Sequence, residues 1–297
     1  MELRVLKYYL SVVREGSILG AANSLHMTQP SLSRQMHELE EEIGKPLFER
    51  SNRRITLTEE GILLRNRATE ILNLVQKTES ELSESHRDVT GDIHIAAGNN
   101  DSFKYIAKIQ KGLQDKYPGL CFMYSSGDSE FVRNRLDLGL SDFGVVIEPF
   151  DVTNYEYVHI PDTEVFGVLM RADSELAKYK KISPKQLIGK PIMLPQQFGD
   201  MGFISKIMGG IPKEDFDIRA IIDNPYNGAI LTKMGLGYAI CINFDLLTSG
   251  TDADGLVFRP LEPVTKSGVY IIWKKYQYFS RASELFLNEV RKLNIST

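Results

Sequence analysis

The 297-residue chain carries 42% hydrophobic and 25% charged side chains, with a formal net charge of -4. That composition excludes a disordered chain and a protein that coats nucleic acid through bulk charge, so any nucleic-acid contact must be a local patch. At roughly one domain per 100 to 200 residues, the length predicts two domains, or one small domain and a bilobed one.

The first residues, "MELRVLKYYLSVV", mix charges with apolar side chains and lack a small-residue cleavage site, which argues against a signal peptide. No apolar run approaches the roughly 20 residues needed to span a bilayer. A cytoplasmic protein with no membrane partner is expected. Cys121 and Cys241 lie in strand-like runs, "LCFMYS" and "YAICINF", without a partner at metal-ligand spacing. Both are expected to be reduced core thiols, with a redox switch as the alternative.

Residues 1–58 read as helix, helix, turn, helix and wing. Leu3, Leu6, Leu10 and Val13 share one helical face, and Ser17 is placed to cap the second helix. In "GSILGAANSLHMTQPSLSRQMHELEEEIG", Ile18, Ala21, Ala22 and Leu25 give one helix a buried face, and Leu32, Met36 and Leu39 give another. A turn at His26 and Met27 separates them, as a helix-turn-helix requires. "PLFERSNRRITLT" then alternates like a short hairpin with "RSNRR" at its tip.

Thr58 is placed to cap the next helix, with Glu59 and Glu60 at its positive end. Through residues 59–90, Leu64, Ala68, Ile71, Val75, Thr78 and Leu82 recur in steps of four and three, a coiled-coil stripe with one weak position. About 30 helical residues span ~45 Å, too long for a small neighbouring domain to cover. Dimerisation through this linker is expected, with packing onto the protein's own core as the alternative.

"DVTGD" breaks the helix, and residues 91–297 alternate strands and helices. Strands are expected at "DIHIAA", "LCFMYSS", "DFGVVIE", "VFGVLMR", "PIMLP", "IRAIID", "YAICIN", "LVFRPL" and "GVYIIWK", with helices from near Phe103, Ser129, Ser183, Asp200 and Asn227 and a last one at "SRASELFLNEVRKL". The alternation implies mainly parallel sheets with helices on both faces. So long a segment suggests two sheets joined by crossing strands, which would leave a cleft between two lobes, lobe I about 91–161 and 267–297, lobe II about 162–266. Parallel sheets of this kind bind ligands at the carboxyl ends of their strands.

At this point the stretch "GSILGAANSLHMTQPSLSRQMHELEEEIGKPLFERSNRRITLTEEG" resembles the N-terminal signature of LysR-type transcriptional regulators. "KYPG", "LSDFGVVI" and "MGLGYAICIN" extend the resemblance over nearly the whole chain. It departs at Ile18, where the family commonly has phenylalanine, and at Ser31, where alanine usually follows the proline. The resemblance implies an α+β protein: an N-terminal winged helix-turn-helix, a long linker helix, and a two-lobed α/β effector domain resembling periplasmic binding proteins. It implies double-stranded DNA half-sites and a small-molecule effector as partners, a homodimer or homotetramer, RNA polymerase as a further candidate partner, and neither a cofactor nor a metal.

The second helix of such a motif enters the major groove by its N-terminal residues. Gln29, Ser33 and Arg34 are expected to face bases, glutamine pairing with adenine and arginine with guanine. Pro30 suits the first helical turn and a thymine methyl. Ser17, Thr28 and Ser31 suit phosphates; Thr28 serves equally as a plain N-cap, and both roles are compatible. In the wing, Arg50, Arg53 and Arg54 concentrate charge for a minor groove, or are solvated hairpin side chains. Eight basic against seven acidic side chains leave residues 1–58 at only +1. One such domain alone should bind poorly, so affinity should come from linking several.

The family's cleft would be lined by loops at Asn99, Asn100 and Ser102, at Ser126 and Gly127, at Gln196, Gln197 and Phe198, and at Asn224; each could equally serve as an ordinary cap or turn. These loops carry Asp101, Asp128, Asp200 and Asp223 but no arginine. They favour a neutral, zwitterionic or amine-bearing effector over a multiply charged anion. No nucleophile elbow, zinc-protease, phosphate-loop or dinucleotide motif is found, and the five histidines are scattered, so no catalysis is expected. The competing reading is a small-molecule binding protein or enzyme whose N-terminal helices serve only assembly; the arginine-bearing wing and outward Gln29 and Arg34 speak against it.

Overall fold

In the computed structural model, which describes residues 1–50, 55–83, 89–196, 201–243 and 255–293, the spacing of apolar residues sets which helix faces turn inward. The chain divides into two units, Met1–Ser83 and Glu84–Thr297.

In the first unit, α1 (Leu3–Glu15) buries Leu6, Tyr9 and Val12, and α2 (Ile18–Ser24) buries Ala21 and Ala22. The third helix, α3 (Gln29–Ile43), buries Leu32, Met36 and Leu39 against the same core, which Leu47 completes. It ends at Gly44, whose left-handed φ of 72° lets its N–H reach the carbonyls of Glu40 and Glu41; only glycine adopts that conformation without a Cβ penalty. A two-stranded wing follows, β1 (Phe48–Arg50) antiparallel to β2 (Ile55–Leu57). Thr58 Oγ1 then accepts the Gly61 N–H at 3.0 Å and starts α4 (Glu59–Ser83).

The α4 stripe divides along its length. Ala68 is fully buried and Leu64 packs on the unit's own core, so the beginning of the stripe is internal. Ile71 and Val75 are half-buried, and Thr78 is exposed, its hydroxyl donating to the Leu74 carbonyl. The side chain of Leu82 lies outside the described residues.

The described strands of the second unit form one sheet. They are β3 (Gly91–Ala97), β4 (Leu120–Ser126), β5 (Phe143–Ile147), β6 (Tyr155–Arg171), β7 (Pro191–Pro195), β8 (Asp217–Ile222), β9 (Tyr238–Ile242), β10 (Leu256–Pro260) and β11 (Lys266–Lys274), in the order β4-β3-β5-β11-β6-β9-β7-β8 with β10 on β6. Helices α5 (Phe103–Lys116), α6 (Ser129–Asp137), α7 (Met201–Ile207), α8 (Pro225–Lys233) and α9 (Arg281–Lys292) cover it.

The sheet is mixed, which corrects the expectation of mainly parallel pairing. Strands β3, β4 and β5 are parallel in one lobe and β7, β8 and β9 in the other, but β6, β10 and β11 run antiparallel to their neighbours. The long β6 explains this. Residues 155–165 pair with β11 and residues 166–171 with β9 and β10, so a single strand crosses between the lobes. The sequence places only its second half, "VFGVLMR", as strand. Each lobe has its own core, one around Ile95, Phe143 and Phe286, the other around Phe166, Ile192 and Leu261.

Two smaller expectations are corrected. The segment at Ser183 is a short 3-10 turn, Pro184–Leu187, closed by reciprocal bonds between Ser183 and Gln186. Cys121 is exposed, not a core thiol. It alternates with the buried Leu120 and Phe122 on the edge strand β4, and α6 packs over β3 and β5, leaving that face open. Cys241 is half-buried, and burial pushes its thiol up to about 12, which keeps it protonated at neutral pH.

Candidate DNA-binding face and effector cleft

Helix α3 begins where the Thr28 hydroxyl accepts the Ser31 N–H at 3.4 Å. That bond and the buried Leu32, Met36 and Leu39 fix its rotation, so Gln29, Pro30, Ser31, Ser33 and Arg34 all lie exposed on the other side. Thr28 is also exposed, so capping leaves it accessible. Ser17 is half-buried and accepts the Gly20 N–H at 3.0 Å, a cap by geometry.

Arg34 is 79% exposed and donates through Nε to Glu38 Oε1 at 2.8 Å, while Gln35 Nε2 donates to Glu38 Oε2 at 2.8 Å. An exposed pair of this kind contributes little stability, so exchanging it for a base contact costs little. The sequence reading missed Glu38 and Gln35, although their i,i+4 and i,i+3 spacing was visible.

The wing is anchored to the same helix. Glu40 Oε1 accepts the N–H groups of Leu47 at 2.7 Å and Phe48 at 3.2 Å, fixing where β1 leaves the core. Arg50 ends β1 opposite Ile55; its side chain, and Arg53 and Arg54 entirely, lie outside the described residues.

In the second unit, an open cleft lies between the lobes. Its walls come from the carboxyl ends of parallel strands on both sides: Asn99 after β3 and Ile147 on β5, facing Pro195 on β7, Ile222 on β8 and Ile242 on β9. Phe166, Pro149 and Cys241 add apolar surface, and Ser129 and Asp223 add polar groups.

The expected effector residues separate under this geometry. Asn99 is exposed in the cleft and also lines a neighbouring recess with Asn100 and Ser126. Gln196 is exposed on a wider, charged opening that shares Ser129 and Pro149 with the cleft. Gly127 packs under the Phe131 ring and its N–H bonds the Ala97 carbonyl, a turn residue in this geometry. Asn224 caps α8 by accepting the Tyr226 N–H at 2.9 Å. Gln197 and Phe198 lie outside the described residues.

Ser102 is fully buried and turned away from the role expected of it. Its N–H and hydroxyl both donate to Glu164 Oε1, at 3.1 and 2.7 Å. Glu164 lies on the crossing strand β6, and burial raises its pKa, outweighing the Ser102 bonds that lower it. A carboxyl raised in the folded state contributes stability at low pH that is lost as pH rises through the folded value. The gap in melting temperature between Glu164→Gln and the wild type, with the variant ahead at neutral pH, should therefore narrow as pH falls toward the ordinary carboxylate range. Differential scanning fluorimetry checks this; parallel profiles would refute it.

A helix-turn-helix with an exposed polar first turn, on the same chain as a two-lobed sheet with an interlobe cleft, defines a DNA-binding protein that carries a small-molecule domain. The comparisons agree. The sequence profile of the bacterial regulatory helix-turn-helix protein, lysR family, matches residues 3–62, and that of the LysR substrate binding domain matches residues 86–294. The chain belongs to the LysR family of transcriptional regulators, with its DNA-binding helix-turn-helix and effector-binding domain.

Among relatives, it is 25% identical over 246 residues to the HTH-type transcriptional regulator BsdA of Bacillus subtilis (strain 168), covering 82% of this chain and 83% of that one. It is 23% identical over 288 residues to the HTH-type transcriptional activator CmpR of Synechocystis sp. (strain ATCC 27184 / PCC 6803 / Kazusa), covering 96% and 93%. Full-length CbnR complexed with its target DNA shares the fold with a TM-score of 0.74 at 20% identity, over 99% of this chain and 100% of that one. Among the described residues no helix is long and apolar enough to cross a membrane.

Proposed function

We propose that this regulator reads operator half-sites through Gln29, Ser33 and Arg34, with Pro30 on apolar base edges. Ser17, Thr28, Ser31 and the wing arginines Arg50, Arg53 and Arg54 hold phosphates or a minor groove. The exposure of the whole 28–34 polar set opposite the buried Leu32, Met36 and Leu39 carries this reading. A small molecule in the interlobe cleft controls operator affinity, and its differential affinity for open and closed lobes supplies about 1–3 kcal/mol of coupling.

Pairing through α4 into a dimer, or two dimers into a tetramer, supplies the affinity that a domain of charge +1 lacks. The exposed Ile62, Leu63 and Leu74 of α4 support such an assembly. The protein acts in the cytoplasm, without a catalytic step of its own and with RNA polymerase as the further partner.

Arg34→Ala should lose about 1–3 kcal/mol of discrimination between operator and scrambled DNA, roughly 5- to 150-fold. Gln29→Ala should behave similarly, whereas Arg53→Ala should weaken both DNAs alike. Fluorescence-anisotropy titration at fixed salt against the DNA upstream of the regulator's own gene and a scrambled copy measures this. Equal losses on both DNAs for Arg34→Ala would remove the base-reading role.

A further inference from the structure

The loop between β3 and α5 holds a buried acceptor that the protein itself does not use. Asn100 is 4% exposed, and its Nδ2 donates to the Gly98 carbonyl at 3.1 Å. That bond fixes which end of the amide is nitrogen. The other end, Oδ1, is buried with no hydrogen-bond partner. A buried acceptor left unpaired is costly and rare, and where one persists it asks for a function. Asn100 lines an open recess with Asn99, Phe103, Tyr124 and Ser126, and Asn99 leads on into the interlobe cleft.

The surroundings decide what such an acceptor would take. The first turn of α5 would ordinarily attract an anion, but the amide and hydroxyl of Ser102 are already bound to the buried carboxylate of Glu164. Asp223 adds a second carboxylate on the cleft wall. An anionic ligand head would thus meet a lone pair on Asn100 and no free donor from Ser102. A donating head, whether ammonium, primary amide or hydroxyl, would meet a complementary site. The adjoining wall, with Pro149, Phe166, Pro195 and Ile222, suits an apolar body.

We infer that the effector of this regulator is a hydrogen-bond donor on an apolar body, its donating head seated on Asn100 Oδ1. This rests on the reading of the cleft as the effector site and sharpens it to a ligand class.

Three matched probes test the inference on the full-length protein: benzylamine, benzamide and benzoate, with affinities from ligand-observed NMR titration. In the wild type, benzylamine and benzamide should bind at least about tenfold more tightly than benzoate. Asn100→Ala should bring the benzamide-to-benzoate ratio close to one. The near-isosteric Asn100→Asp should raise the benzylamine-to-benzamide ratio, which keeps the test alive should the alanine variant fold poorly. Filling the cleft with Ile222→Trp should weaken all three.

Benzoate binding as tightly as the donors, and weakened by Ile222→Trp, would overturn the ligand class and leave the cleft reading standing. A donor preference unmoved by both Asn100 variants would mean that a trapped water satisfies Oδ1, and would overturn the assignment too. Binding of none of the probes, or binding indifferent to Ile222→Trp, would overturn the cleft reading and the inference together.

Discussion

Gly61→Ala should destabilise the N-terminal unit by about 3 kcal/mol and abolish operator binding, the upper range for forcing an extra methyl into a packed site. A Cβ at position 61 would lie 2.2 Å from the Leu47 carbonyl oxygen and 3.2 Å from Leu57 Cδ2. Neither wall gives easily. The Leu47 carbonyl accepts the Thr58 N–H at 3.1 Å, and the Leu47 N–H is held by Glu40. Moving the first turn of α4 away instead breaks the bond from the buried Tyr9 hydroxyl to the Gly61 carbonyl, 2.6 Å long.

The chain contains one tryptophan, Trp273, 5% exposed in the effector unit. Its fluorescence therefore follows that unit, while circular dichroism follows both. The variant should show an early loss of ellipticity, about 3 kcal/mol less stable by denaturant titration, with the fluorescence transition unmoved. Wild-type melting with intact operator binding would show that the contact is not as tight as the geometry makes it.

The N-terminal unit was legible because what specifies it is local. Ser17, Thr28 and Pro30 mark helix starts by the chemistry of single turns, and the spacing of Leu32, Met36 and Leu39 fixes which side chains face out. The cleft was legible only in its loops. Asn99 stands out as a polar residue after a strand, but Phe166, Ile222 and Cys241 join it only because β6 crosses between lobes, and the length that implies crossing strands does not say which strand crosses.

Ser102 shows the same limit from the other side. Its residue type and position before α5 suggest a ligand donor, yet a carboxylate 62 residues away occupies it. Cys121 departs from its expected burial for a related reason: alternation gives the parity of a strand, whereas burial depends on which helix covers which face. Gly127 and Asn224 show the turn and cap roles that such loop residues also serve.

Phe143→Ala should cost the effector unit about 3–5 kcal/mol, the usual range for emptying a phenylalanine site in a core. The ring is fully buried, with its centroid 4.8 Å from Phe286, 5.2 Å from Phe279 and 6.2 Å from Trp273. Those three rings belong to α9, to the segment before it, and to β11, so one side chain holds the C-terminal helix and a central strand to β5. Ile147, at the other end of β5, forms part of the cleft wall. A cavity at 143 should therefore loosen ligand binding as well as the core.

Trp273 reports the change directly: its emission should shift to the red in the native variant and its unfolding midpoint should fall, while the helix-turn-helix keeps its ellipticity. Phe143→Leu, which refills most of the volume, should recover all but about 1.5 kcal/mol. If the alanine and leucine variants lose the same amount, the aromatic contacts themselves, and not the filled volume, hold the C-terminal helix in place.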